Sequence, residues 1–146
     1  MTGTNHTLTG VLIAATVHPV LVIPLAFTSH FLLDALPHFG ESYENRRSLS
    51  KMVWSVDISL VLAGFTYLIL TGQPFILVVG GIAAMSPDFA WIYRFTVLES
   101  MGKLPEPPKS RFNELHAGIQ KYESVSGIYL ELAVFPILLY LVSINI

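Results

Sequence analysis

The sequence predicts an all-α, polytopic membrane bundle of about five helices, the first of them short, with an additional interfacial amphipathic helix. Three observations carry this. The 146 residues are 53% hydrophobic and only 12% charged, more apolar than a soluble domain of this length needs for its core. The apolar residues fall into stretches separated by polar or Pro/Gly-rich turns. The ionisable residues gather at one end of the predicted bundle. At this length the helices use nearly the whole chain, so residues 1–146 are read as one integral membrane domain.

Residues 7 to 17 form a short apolar stretch that ends at His18-Pro19. As helix it rises only about 17 Å against a hydrocarbon core of roughly 30 Å, so it either spans incompletely or continues into the next helix. Pro19 suits a first helical position, which favours a hairpin at His18-Pro19 over one kinked span. The second helix covers residues 19 to 36 and contains Pro24. The polar loop 39 to 51 precedes a third helix from about Met52 to Leu70, and the turn Thr71-Gly72-Gln73-Pro74 opens a fourth, from Phe75 to about Arg94. The linker 95 to 111, with Gly102, Pro105, Pro107 and Pro108, reads as an exposed loop. From Arg111, Phe112, Leu115, Ile119 and Tyr122 share one stripe of an interfacial helix that feeds a last span, Val125 to Ser143.

The eight Lys and Arg against ten Asp and Glu supply no basic field of the kind nucleic acids need, so membrane lipid is the expected partner and nucleic acid is not. The N-terminus lacks the basic start of a secretory signal, and the first helix is read as retained. Arg46, Arg47 and Lys51 lie in one loop, and Arg94, Lys103, Lys109, Arg111 and Lys121 in or beside another. The third and fourth helices form an antiparallel hairpin, so both basic loops fall on one side, which the positive-inside rule assigns to the cytoplasm. Trp54, Trp91 and Tyr93 read as an aromatic belt at that interface. Asn5-His6-Thr7 matches a glycosylation sequon that three residues meet easily by chance.

The most informative run is His30-Phe-Leu-Leu-Asp34-Ala-Leu-Pro37-His38. His30 and Asp34 share a helix face and can close on one ion. His38 is about 12 Å further along a continuous helix. It therefore joins them only if Pro37 ends the helix and the chain folds back, or it holds a second ion bridged by Asp34. The predicted topology returns His6 beside Asp34 and turns Asp57 and Asp88 toward the same end. His116, Gln120, Glu123, Gly127 and Glu131 fall within about an 80° arc at 100° per residue, a polar stripe facing the bundle. Gly81 and Ala84, with Asp88, and Gly64, with Asp57, are read as small residues that let helices approach and draw the acids together.

Charges at membrane depth cost roughly 3 kcal/mol each on insertion scales unless paired or bound to ions. The absence of cysteine leaves His, Asp and Glu as ligands, a set suited to Zn²⁺ first, or to Mn²⁺ or Fe²⁺, as one or two ions. His6, His30, Asp34, His38 and Asp88 are the expected metal ligands, with Asp57 and His116 as the catalytic candidates for general-base work. His18, at the opposite turn, is read as a helix N-terminal residue without chemistry.

Through the HxxxDxxPH run, an early His, Ser86-Pro87-Asp88 and a late His-containing amphipathic segment, the chain resembles small membrane-bound metal-dependent hydrolases of the YdjM-like, LexA-regulated inner-membrane type. The resemblance implies a hydrolase of a prokaryotic inner membrane. The HxxxD pair is also similar to that of secreted zinc phospholipase C and single-strand nuclease families, which cleave phosphoesters; this chain lacks their N-terminal Trp and long soluble domain. The expectation is a hydrolase acting on a lipid-linked ester or phosphoester at the cytoplasmic bilayer face. Two other classes are a metal-stabilised assembly or regulatory protein and an ion or proton conductor. The charge-free segments Leu60 to Leu70 and Phe75 to Ala84 argue against a conducting path.

Overall fold

The fold was analysed in a computed structural model that describes residues 1–40, 48–89 and 111–146. Among these the chain is mostly helical: α1 (Gly3–Thr16), α2 (Pro19–Asp34), α3 (Ser48–Leu70), α4 (Phe75–Met85), α5 (Arg111–Ile119) and α6 (Ile128–Ser143). The basic residues Arg46, Arg47, Arg94, Lys103 and Lys109, the aromatics Trp91 and Tyr93, and the linker lie outside the described residues.

Helix α1 starts at Gly3, four residues earlier than its apolar pattern suggests. Its polar first turns, Thr4, Asn5, His6 and Thr7, are buried along with Gly10, Val11 and Ala14. This polar run is thus the first half of the central helix, which packs on α2, α3, α4 and α6. The hairpin at His18-Pro19 forms as expected, with Pro19 in the first turn and the exposed His18 at the cap position.

Helices α1 and α4 cross where Gly10 meets Gly80. A Cβ at Gly10 would stand 2.2 Å from the Gly80 carbonyl oxygen, and one at Gly80 2.4 Å from that of Gly10. Only hydrogen fits there, which is the close backbone approach that small residues permit. Gly81 faces Phe65 and Thr7, whereas Gly64 opens onto empty space. Gly64 therefore does not draw α3 inward. The apolar core lies beside the crossing, built from Val11, Ala14, Val22, Leu68, Leu77, Val78 and Val142.

Gly72, at φ +69, turns the chain after α3, a conformation only glycine adopts without strain. The Gln73 N–H then donates to the Leu68 carbonyl at 3.0 Å, and Pro74 precedes α4. At its far end α4 tightens into a 3-10 turn over Ser86–Asp88, with Pro87 in its first positions. The predicted continuous passage from the amphipathic helix into the last span does not occur. α5 ends at Ile119, and residues 120–127 form a turn, a short strand β2 (Glu123–Ser124) and a 3-10 turn before α6. β2 pairs in parallel with β1 (His38–Phe39), His38 opposite Glu123, and Gly127 lies directly on the His38 backbone.

Two segments, Met52–Leu70 and Val125–Ser143, are long and apolar enough to cross a membrane by length and composition. Only 11% and 22% of them is buried within the described chain. Large apolar side chains point outward around the bundle, among them Leu70, Val20, Tyr129 and Phe75.

Candidate metal centre

Three elements deliver the four residues of the site. The last two turns of α2 place His30 and Asp34 on one face, as i, i+4 spacing dictates. The Ser86–Asp88 turn after α4 presents Asp88, and α5 presents His116 from its inward side. His30 Nε2, His116 Nε2 and Asp34 Oδ2 form a near-equilateral triangle: 3.1 Å between the nitrogens, 3.1 Å from His30 to Asp34 and 3.0 Å from His116 to Asp34. Asp88 Oδ1 closes the group at 3.6 Å from His30 Nε2 and 3.8 Å from His116 Nε2. Nitrogen and oxygen ligands about 2.0–2.1 Å from a tetrahedral Zn²⁺ stand about 3.3–3.4 Å apart. The distances from the two histidine nitrogens are close to that spacing, and the four ligand atoms all lie within 4.8 Å of one another.

The hydrogen-bond inventory gives a second reason to expect a cation there. His30 Nδ1 lies 2.8 Å from the Ala84 carbonyl oxygen, an acceptor only, so this nitrogen carries the proton. His30 Nε2 then offers a lone pair to the cluster. A carbonyl that fixes the tautomer of a ligating histidine is the usual outer layer of a metal site. Asp34 and Asp88 add acceptor oxygens, against the amide of Gln120, 3.0 Å from Asp34 Oδ2, and one ring N–H from His116, whose Nδ1 is buried without a partner and can take the proton when Nε2 binds an ion. Inward-facing acceptors outnumber donors, and a cation resolves the excess. His30, Asp34 and His116 are fully buried, whereas the Asp88 side chain keeps 24% of its surface exposed. These four residues could hold a metal ion.

The remaining expected ligands are placed differently. His6 reaches Asp34 from the other side, with Nε2 3.1 Å from Oδ1, and its ring stacks on His30 at 4.0 Å between centroids. His6 Nδ1 is buried without a partner. The single ring proton therefore belongs on Nε2, where it donates to Asp34. His6 orients the carboxylate instead of joining the four-atom group. The terminal amine of Met1 also contacts Asp34 Oδ1.

His38 does not fold back into the cluster. Its Nδ1–H donates to the Leu36 carbonyl at 2.8 Å, and its backbone is held in the β1–β2 pair. Burial, with a smaller contribution from the terminal ammonium, holds its imidazole below the usual histidine range.

Asp57 is also outside the group. Its Oδ2 accepts from the Gly3 N–H at 2.9 Å, and Oδ1 from the Thr4 N–H at 2.8 Å and the Thr4 hydroxyl at 2.6 Å. The carboxylate caps α1 from a neighbouring helix, an arrangement that does not suit general-base work. His116, expected as a base, sits among the ligand atoms.

Glu131 serves a similar end. It accepts from the Thr2 N–H at 2.7 Å, the Phe39 N–H at 2.9 Å and the Asn5 amide at 3.3 Å. Its partners are the start of α1 and strand β1, not α2 or α4. Asn5 is 1% exposed and so closed to a glycosylating enzyme. Asn5 and the Ala84 carbonyl were not expected at the site, and Gln120 was expected only as part of the polar stripe. The adjacent polar pair Asn5-His6 in an apolar helix is the signal for Asn5, and the i+4 step from His116 for Gln120; a backbone carbonyl leaves no trace in sequence. No protein-family model matches the chain, and neither a curated protein nor a solved structure matches it.

Proposed function

We propose that the protein is a membrane-embedded, metal-dependent hydrolase that acts at the cytoplasmic bilayer face on a lipid-linked ester or phosphoester. The observation that carries this reading is the convergence of ligand atoms from His30, His116, Asp34 and Asp88 within 4.8 Å of one another. When bound, a divalent ion, Zn²⁺ by preference, supplies Lewis acidity for the scissile group and acidifies water. The chain's own contributions are distinct. The Ala84 carbonyl fixes the lone pair of His30, and His6 holds Asp34 in place. Asp88, the one member of the four with exposed side-chain surface, lies where water and substrate enter and is our candidate for taking up the proton.

Membrane embedding is supported by the inverted burial. Polar Thr4, Asn5, His6 and Thr7 are inside, while Leu62 and Ile69 of α3 and Leu132 and Ile137 of α6 face outward. The cytoplasmic placement rests on the basic loops. The reaction class follows the resemblance to the YdjM-like family and the hard, thiol-free donor set.

A second reading, a metal-stabilised assembly without turnover, is favoured by one observation: three of the four side chains are fully buried, as in closed structural sites. Metal analysis of the purified protein, followed by a panel of lipid esters and phosphoesters, separates the two. The hydrolase reading expects a stoichiometric ion and turnover that is lost in Asp34→Ala and His30→Ala. Bound metal without turnover moves the assignment to the structural reading, and absence of metal at neutral pH contradicts both.

A further inference from the structure

The first N–H groups of a helix have no partner within it, and a Ser or Thr side chain at the cap position commonly serves them. Thr2 occupies that position in α1 but makes no side-chain cap bond. Two acids from other helices do the work instead. Glu131 of α6 takes the Thr2 N–H, and Asp57 of α3 takes those of Gly3 and Thr4. Glu131 continues to the Asn5 amide and to the Phe39 N–H, so one carboxylate ties α1, α6 and strand β1. His6 is one turn further along α1, and among the described residues its ring hydrogen-bonds to Asp34 alone.

We infer that Asp57 and Glu131 are positioning residues for the metal centre: they fix the start of α1 so that the His6 Nε2–H meets Asp34 Oδ1 and turns Oδ2 toward His30 and His116. The inference rests on the proposed metal site but concerns residues outside the ligand group. The chain of contacts is continuous. Both acids bind α1 within four residues of His6, His6 binds one oxygen of Asp34, and the other oxygen belongs to the four-atom cluster. The arrangement also satisfies α1 electrostatically, since two carboxylates meet the positive end of its dipole. It further explains why α1, polar in its first two turns, is stable at the centre of an apolar bundle.

The test is a double-mutant cycle read by metal affinity, because groups that act through one another do not add. Zn²⁺ or Co²⁺ binding is measured by competition with a chelator in wild type, Asp57→Asn, Glu131→Gln, His6→Ala and the two combinations with His6→Ala. Loss of an outer-layer partner costs roughly 10–100-fold in affinity, so each acid variant should bind at least about 10-fold more weakly. In the His6→Ala background neither acid change should weaken binding by more than about 2-fold. Equal losses in both backgrounds, or no loss in the wild-type background, would overturn the inference.

Thr4→Val, which removes only the hydroxyl bond to Asp57, is the milder variant if an acid variant fails to fold. It should weaken binding about 3-fold and, again, only when His6 is present. A second readout needs no metal: ¹⁵N spectra of the His6 ring should show a protonated, slowly exchanging Nε2 in wild type that is lost in Asp57→Asn. If wild type binds no ion yet the ring signal still depends on Asp57, the metal reading fails and the positioning role stands. If the ring signal is unchanged by Asp57→Asn, the positioning role fails.

Discussion

Two pairs of acids lie at the same end of this bundle, and they face opposite kinds of partner. Asp34 and Asp88 face imidazole nitrogens, three of them around Asp34 alone. Asp57 and Glu131 face amide hydrogens, at 2.7–2.9 Å from Thr2, Gly3, Thr4 and Phe39. A carboxylate surrounded by N–H donors is already satisfied as an anion, and nothing further is needed to hold it in an apolar setting. Asp34 takes the His6 proton and the terminal ammonium on one oxygen, and its other oxygen faces the lone pair of His30 and the carboxylate of Asp88, a grouping that could hold a metal ion. All four are carboxylates, each pair with one buried and one partly exposed member; the partners distinguish the pair we propose as chemical from the architectural one.

The largest effect should come from the chemical pair. Asp34→Ala removes the atom common to the shortest contacts, and a lost ligand should exceed the roughly 10–100-fold range of outer-layer changes, abolishing stoichiometric metal in elemental analysis. Helicity by circular dichroism should persist. Retained metal would erase the distinction between the pairs.

The architectural pair should register first in stability. Asp57→Ala leaves two backbone donors and a hydroxyl without their acceptor, at about 1–3 kcal/mol for buried groups so stranded. A lowered unfolding midpoint in detergent is the expected reading; an unchanged midpoint would mean that solvent or lipid replaces the cap. Its effect on affinity is the smaller, indirect one that runs through His6.

His38 supplies a pH test beside the architectural pair, since Glu131 holds the neighbouring Phe39 N–H. Its imidazole is held below its unfolded value of about 6.5. As pH falls through that value the unfolded chain takes up a proton that the folded chain resists. Stability from this group is therefore full above about pH 7 and declines on acidification toward the lowered folded value. Unfolding curves at pH 7.5 and 5.5 should show a smaller acid loss in His38→Asn than in wild type; equal losses would assign the sensitivity to other groups.

The smallest effect is a control on the helix that carries Asp57. Gly64 opens onto empty space, so Gly64→Ala should stabilise α3 by about 0.5–1 kcal/mol through helix propensity and leave metal affinity within about 2-fold. A larger change in affinity would mean that α3 packs there against something outside the chain.

Much of this was legible in the residues, but unevenly. The hairpin at His18-Pro19 was readable because proline at a first helical turn and polar punctuation are local signals. His30 and Asp34 were readable as a pair because helix periodicity alone brings i and i+4 together. Asp88 and His116 join them through tertiary packing, which the polar stripe on His116 and the topology anticipated. The role of Asp57 was not readable. An acid in an apolar helix signals burial, but its partners are backbone N–H groups of another helix, which are identical at every position of a sequence. The same blindness hid the start of α1, where the acids that satisfy Thr4, Asn5 and His6 are 28 to 126 residues away. The β1–β2 pair is two residues long and has no period to detect.

The claim that a metal ion is bound by two imidazoles and two carboxylates is tested most directly by X-ray absorption at the metal edge of the purified protein. The account predicts one ion per chain with a nitrogen and oxygen shell near about 2.0–2.1 Å and the outer-shell scattering of two imidazole rings, both lost in Asp34→Ala. No stoichiometric metal, or an ion whose shell carries no imidazole scattering, would contradict it.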